Sequence, residues 1–457
     1  MNRLDLAYLP LAIATAPVWA RKTRGDWAGR MGKTARLPDP GPGEGGRERK
    51  RLLIHAVSVG EVNTLRALIP LLTPHADVVV SVGTDTGIAR ARALFADPSR
   101  MGMPDYLGPE RVVRYPLDLS WAVERFLNAV RPDAVALVEL ELWPNFVRAC
   151  AKRGVPVCVI NGRLSARSFK GYVRARRFFR PVFERLAFAA VQDEAYAERF
   201  TRMGVARPPL VTGSMKWDSV QIHNEVEGQV GRGVAEAEAL RAAMSIDAAR
   251  PLIVAGSTGP LETALKGEEA MLDRACPPGV QLLCAPRKPE RFDEAFAMLG
   301  GEAVEGKRNG CIRRSRCTAD KPGVRGADRF LLDTIGELRA AYALATVAVV
   351  GRSFGRLHGS DPIEPIALGV PTVIGPRYGD FESIVQAFRK HEAIVVAEEG
   401  ELGGPGGVLA RLIGDPQERR RLSENGRACI RAHQGATQRH AELLLGLLGV
   451  PVPGARA

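Results

Sequence analysis

The sequence predicts an α/β protein made of two successive doubly wound halves, each a parallel sheet clothed by helices. Three observations carry that expectation. Short apolar runs rich in β-branched residues alternate with stretches of helical spacing, the pattern of βαβ units. The alternation stops between Ser219 and Arg250, where the chain turns polar, and restarts at Pro251. A chain of 457 residues is long enough for two domains of ordinary size, each with its own core.

The elements follow in order. Leu52–Val59 is mostly apolar, lacks helical spacing and reads as a strand buried on both faces. Gly60 marks a turn, and Leu65, Leu68, Ile69 and Leu72 then recur at helical spacing. DVVVSVGTDTGIARARAL repeats the strand–turn–helix pattern, as do RPDAVALVEL with WPNFVRACAKRG, then VPVCVING, LAFAAVQDEAYAERFTRMG and LVTGSMKWD. In the second half PLIVAGST, VQLLCAPR, ATVAVVGRS and VPTVIGPR are the strands, and the Gly-, Arg- and Lys-rich stretch from Gly300 to Arg329 reads as an elaborated loop or hairpin. The predicted division is an N-terminal membrane-associated segment over 1–33, a first domain over 34–218, a linker over 219–250, a second domain over 251–440 and a tail over 441–457. Open α/β sheets bind ligands at the carboxyl ends of their strands, so two such halves form a crevice suited to a pair of ligands, one held by each.

Composition narrows the partner. The formal charge of +13 favours something anionic: nucleic acid, a phosphorylated small molecule or an acidic membrane surface. The seven cysteines are odd in number, scattered and without C-x-x-C spacing, which fits a reducing compartment. Residues 4–20 are apolar except for Asp5 and precede Arg21, Lys22, Arg24 and Arg30. The run is shorter than the ~20 residues of a spanning helix, and Pro10 and Pro17 interrupt it. Positive charge after the run, and not before it, argues against a cleaved signal peptide. A monotopic segment lying in the membrane face fits, with an apolar helix packed on the domain as the alternative.

Acidic residues stand where strands end. In a nucleotide-binding unit the turn at Gly60 would be glycine-rich to admit phosphate. Here it carries Glu61, which either caps the helix dipole or does chemistry. Glu139 and Glu141 follow an apolar strand, and alternation places both on one face. They share a proton or order a basic acceptor, or they sit near the next helix dipole. Between 161 and 186, Arg163, Arg167, Lys170, Arg174, Arg176, Arg177, Arg180 and Arg185 oppose Glu184 alone, with Phe169, Tyr172, Phe178, Phe179 and Phe183 interleaved. Such a stretch suits nucleic acid, a phosphorylated lipid or simply solvent.

The second half collects signals for a nucleotide. The strand VAGST at 254–258 ends in small and hydroxyl residues whose N–H groups suit phosphate. Arg287, Lys288 and Arg291 follow another strand and offer guanidinium forks. Asp333, Thr334, Gly336 and Glu337 open a helix, and a glycine-rich loop leads to Asp361 and Glu364, where a carboxylate suits ribose hydroxyls. His358 in that loop is either a base or phosphate donor, or structural. Metal-ligand spacing and the P-loop motif do not occur.

HAVSVGEV, VELELWPN, NGRLSARS, VTGSMKWD, AGST, APRKPERF, DTIGELRAAYALA and DPIEPIALGVPTVIGP together resemble the characteristic stretches of Kdo transferases. The match runs in order from about residue 1 to 440. These enzymes move 3-deoxy-D-manno-octulosonic acid (Kdo) from CMP-Kdo to a lipid A precursor at the cytoplasmic face of the bacterial inner membrane. The resemblance implies a GT-B fold, two Rossmann-like domains facing a cleft, and an inverting glycosyltransferase without metal or cofactor. It implies CMP-Kdo, a phosphorylated lipid A precursor and the membrane surface as partners, and no nucleic acid. It makes Glu61 the general base, with Glu141 in support. Glu139, Arg163 and Arg167 fall to the acceptor, and Arg287, Gly336, Glu337, Asp361 and Glu364 to the donor. The sequence departs from the family pattern at Gly259 and Ser360, each in place of histidine, at Asp361 in place of asparagine, and at Ser214 in a Gly-Asn position. An enzyme of the same fold using a UDP- or GDP-sugar, or a non-catalytic basic membrane- or nucleic-acid-binding protein, is the alternative.

Overall fold

The computed structural model describes Asp5 and residues 25–41, 49–220, 230–303, 310–318 and 320–450. Runs such as Arg51–Ala56 and Asp77–Val82 are buried at every position. A strand of that kind has no polar face to offer water, so it belongs inside a parallel sheet covered on both sides.

The first unit holds β1 (Arg51–Ala56), β2 (Asp77–Val82), β3 (Val112–Arg114), β4 (Ala134–Val138), β5 (Val157–Gly162), β6 (Leu186–Val191) and β7 (Leu210–Val211). They form one sheet in the order β3-β2-β1-β4-β5-β6-β7. The second unit holds β8 (Leu252–Thr258), β9 (Gln281–Pro286), β10 (Cys311–Arg313), β11 (Arg329–Leu331), β12 (Val347–Val350), β13 (Thr372–Ile374) and β14 (Val395–Val396), in the order β10-β11-β9-β8-β12-β13-β14. Every pairing is parallel. The strand order reverses between β1 and β4 in one sheet and between β8 and β12 in the other. At such a switch the following loops diverge and leave a crevice at the carboxyl edge.

Alternation along β1 divides each strand between two cores. Leu52, Ile54 and Ala56 meet the helix Val59–Leu72 through Val62, Leu65, Leu68, Ile69 and Leu72. Leu53 faces the other way, with Phe126, Phe146 and Phe183.

Both predicted boundaries move. Part of the expected linker is built into the second unit: the helix Val230–Met244 buries Leu240, Ala243 and Met244 against the core of the second sheet. The chain divides at Ser219. The second unit ends at Ala432, and the helix Ala436–Leu448 belongs to the first, where Ala441, Leu444, Leu445 and Leu448 pack with the helix Val59–Leu72. The Gly- and Arg-rich stretch contains β10, a parallel edge strand and not one arm of a hairpin. The cysteines are all free. Among the described residues no helix is long and apolar enough to cross a membrane. Of the predicted membrane-associated segment, all but Asp5 and residues 25–33 lies outside the described residues.

The returning helix is fastened by polar groups. Asp218 accepts the N–H groups of Gly435 at 2.7 Å and Thr437 at 2.6 Å. The buried His440 accepts from the N–H of Asn161 at 2.8 Å through Nε2, and burial brings its pKa down to about 4. Asp218→Ala leaves two helix-end donors without their carboxylate. It should lower unfolding stability by about 1–3 kcal/mol, read from urea melts.

Candidate active site

The site in the first unit begins where β1 ends. Ser58 is the N-cap of the helix Val59–Leu72, and Glu61 completes a reciprocal capping box with it. One carboxylate oxygen of Glu61 accepts from Val57 N–H at 2.8 Å; the other accepts from Ser58 Oγ at 2.8 Å and Ser58 N–H at 3.2 Å. The residue is 9% exposed. Burial pushes its pKa up to about 7; the Val57 N–H opposes this, and the charges of Glu139 and Glu141 add to it. Glu61 therefore caps the helix. The cap holds the carboxylate still, and burial beside two other acids raises its proton affinity toward neutral pH.

The neighbouring strand supplies the other two acids. Leu137 of β4 lies opposite His55 of β1, so the two strands end side by side at the switch point. β4 stops at Val138, and Glu139 turns the chain with a φ of +59°. Left-handed backbone at a non-glycine residue costs about 1–3 kcal/mol and persists where surroundings enforce it. Glu139 and Glu141 are thus brought to the crevice by a strained turn and not by strand alternation, which had been expected to align them. Glu141 accepts the indole N–H of Trp143 at 3.0 Å. Burial raises its pKa; the Trp143 bond opposes this and Glu139 adds to it. Tyr172 senses the same carboxylate: burial first, then Glu141, pushes its hydroxyl up to about 12.

The basic stretch is split. Arg163 is half-buried after β5, while Arg167 is exposed on the helix Ala166–Arg174. That helix and Glu194–Met203 line an open groove of about 620 Å³ carrying Lys170, Arg174, Arg199 and Arg202. Arg202 lies over the Phe169 ring at 4.8 Å. Arg199 and Arg202 were missed in the sequence, because their strand–helix segment shows no excess of charge.

In the second unit one cation is free and another is consumed. Arg287 follows β9, exposed and without an ion pair among the described residues. Arg291, four residues on, is buried and grips Glu269 with both terminal nitrogens at 3.0 and 3.1 Å. Gly336 has a φ of +98°. Beside it, Glu337 is held by Arg314 at 2.8 Å and by the Thr334 hydroxyl. Asp361 accepts the N–H of Ile363 at 3.0 Å. Glu364 lies 4.0 Å from Arg339; burial raises its pKa, Arg339 opposes and Asp361 adds. His358 is exposed.

The N–H groups at the start of the glycine-rich loop are already occupied. Glu268, fully buried, accepts the N–H groups of Arg352 at 2.6 Å, Ser353 at 3.0 Å, Phe354 at 3.1 Å and Gly259 at 2.8 Å. An internal carboxylate thus fills the nest that the glycine-rich sequence suggested for a ligand. Gly256 in VAGST answers a packing need: a Cβ there would lie 1.9 Å from the Tyr342 hydroxyl.

The profile of the 3-deoxy-D-manno-octulosonic-acid transferase (kdotransferase) family matches residues 25–219. The 3-deoxy-D-manno-octulosonic acid transferase of Haemophilus influenzae is 30% identical over 405 residues, 86% of each chain. That of Bordetella pertussis is 30% identical over 452 residues, 94% of each chain. The chain belongs to the Kdo transferase family. It is a glycosyltransferase, and this membership goes against both alternative readings. Among solved structures, UDP-N-acetylglucosamine 2-epimerase from Neisseria meningitidis bound to UDP-GlcNAc superposes with a TM-score of 0.54 at 12% identity, covering 87% of this chain and 100% of that one. That likeness shows the GT-B fold alone.

Three departures of this Kdo transferase have a visible setting in the structure. A side chain at position 259 would displace its neighbours, since a Cβ would meet Arg352 Cγ at 2.9 Å. Ser360 is 8% exposed, and its hydroxyl has no hydrogen-bond partner among the described residues. Ser214 is buried, and its hydroxyl accepts the Lys216 N–H at 3.4 Å.

The Glu61 environment predicts a pH-dependent stability. Its carboxyl keeps a proton in the folded state that the unfolded chain loses above its ordinary value of 4.5. Its contribution is therefore unfavourable, growing as pH rises from 4.5 and complete above about 7. Glu61→Gln should flatten the fall in unfolding free energy across that window, measured by denaturant melts at stepped pH.

Proposed function

We propose that this Kdo transferase takes Kdo from CMP-Kdo and places it, with inversion, on a phosphorylated lipid A precursor at the cytoplasmic face of the inner membrane. The observation that carries the reading is the Glu61 carboxyl, buried beside Glu139 and Glu141 at the β1–β4 switch point and raised to about 7. A sugar hydroxyl is a poor nucleophile until a base takes its proton, and a carboxyl of that affinity can do so at neutral pH.

Each part of the reaction then has a residue. Glu61 removes the proton from the acceptor hydroxyl as its oxygen attacks the anomeric carbon of Kdo. The bond from that carbon to the phosphate oxygen breaks, and CMP leaves with the electron pair. Arg287, exposed after β9 and without an ion pair among the described residues, suits the charge gathering on the leaving phosphate. Glu364 suits the ribose, and the Ser360 hydroxyl, without a partner among the described residues, offers a bond to a polar atom of the donor. Glu337, tied to Arg314, shapes the wall more than it contacts the donor. Arg163 and Arg167 fall to the phosphorylated acceptor. The net charge of +13, the basic groove and the apolar run over 4–20 all favour an acidic membrane surface.

The test is an assay of the purified chain with CMP-Kdo and lipid A precursor, read by product mass. A mass gain of one or more Kdo residues is expected, and Glu61→Gln should cut the rate about 10²–10⁴-fold. Turnover of a UDP- or GDP-sugar with CMP-Kdo left intact would overturn the donor assignment, and near-normal transfer by the Gln variant would overturn the base. Arg287→Ala should lower kcat/KM for CMP-Kdo about 10–100-fold, the loss of a charge-assisted bond, while acceptor KM stays constant.

A further inference from the structure

Trp143 occupies the N-cap of the helix Pro144–Lys152, a position that favours Ser, Thr, Asp or Asn. Its side chain makes no capping bond there. The capping comes instead from Asp118, whose carboxylate accepts the N–H groups of Asn145 at 3.0 Å and Phe146 at 2.8 Å. Pro144 brings no N–H to satisfy. Position 143 is thereby released from capping, and it carries a large ring left 41% exposed.

That ring is held in place. The proline after it restricts Trp143 to extended backbone, here at φ −84° and ψ 117°. Its backbone N–H bonds Glu141 O at 3.1 Å, and its indole N–H bonds the Glu141 carboxylate at 3.0 Å. Another exposed tryptophan of the first unit, Trp121, has its ring covered by the Arg125 guanidinium at 5.5 Å. The Trp143 ring belongs to the loop of Glu139 and Glu141, which runs beside Glu61 at the switch point.

The chemistry of such a surface selects its ligand. An aromatic face is electron-rich and attracts polarised C–H bonds, while adjacent carboxylates accept O–H groups. A pyranose offers both, an apolar C–H face and a rim of hydroxyls. A phosphate would be repelled by the carboxylates. We propose that Trp143 is the platform on which a sugar ring of the acceptor stacks, set in register with Glu61 by the bond from its indole to Glu141. This rests on the reading of the first unit as the acceptor half.

The experiment titrates the full chain with a de-acylated, water-soluble lipid A precursor, following tryptophan fluorescence, and measures acceptor and donor KM separately. The wild type should show a saturable change that Trp143→Phe abolishes while keeping acceptor KM within about threefold, because the π face survives. Trp143→Ala and the bulk-preserving Trp143→Leu should each raise acceptor KM about tenfold with CMP-Kdo KM unchanged. Unchanged acceptor KM with a lowered kcat and a displaced pH profile would mean that the ring only holds Glu141, and would overturn the proposal. So would wild-type KM values in the Leu variant. Quenching by the acceptor without transfer from CMP-Kdo would sustain the platform and sink the donor assignment instead.

Discussion

The site depends on carboxylates that are crowded together and partly withdrawn from water where the first sheet reverses its strand order. Between β1 and β4 the following loops part, and the space so made receives Glu61 from one and Glu139 and Glu141 from the other. Mutual repulsion and burial both favour the protonated form, while the Val57 N–H and the Ser58 hydroxyl hold Glu61 back from being a permanently neutral acid. The balance leaves a group that can both accept and surrender a proton near neutral pH. A phosphate cradle at this turn would have been incompatible with it.

The second sheet solves the same topological problem with the opposite chemistry. At the β8–β12 switch a glutamate again enters, but Glu268 turns inward and satisfies the loop's own N–H groups. Glu269 beside it binds Arg291 and the Thr258 hydroxyl. These buried acids set the loop conformation. One arginine of the Arg-x-x-x-Arg pair is spent on Glu269, while the other, Arg287, is exposed and has no ion pair among the described residues.

Much of this was legible in the chain. The apolar runs and their alternation disclosed both parallel sheets, and the placement of Glu61 after a lone glycine disclosed an acidic turn. Other features were hidden for physical reasons. The amphipathic stripe of Ala436–Leu448 shows that the helix is half-buried but not which sheet it covers, and the answer lies in Asp218, more than two hundred residues away. The left-handed turn at Glu139 has no local signature, because glutamate is not a residue that favours it. Glu268 was invisible because an acid at a helix start reads as an ordinary dipole contact until its distant N–H partners are known.

Asp5 shows how one charge can link two parts of the chain. It is the only acid within an otherwise apolar run, and a carboxylate in such surroundings is costly unless its oxygens are satisfied. It is 2% exposed and accepts the Ser120 N–H at 2.8 Å, the Ser120 hydroxyl and the Asn145 side-chain amide at 3.1 Å. Ser120 opens the helix Ser120–Val130, and Asn145 lies in the first turn of the helix that follows Trp143. Asp118, in the same cluster, caps that second helix. The polar network that holds Asp5 is therefore the one that relieves position 143 of capping, so Asp5 and the loop of Glu141 and Trp143 share a single set of hydrogen bonds.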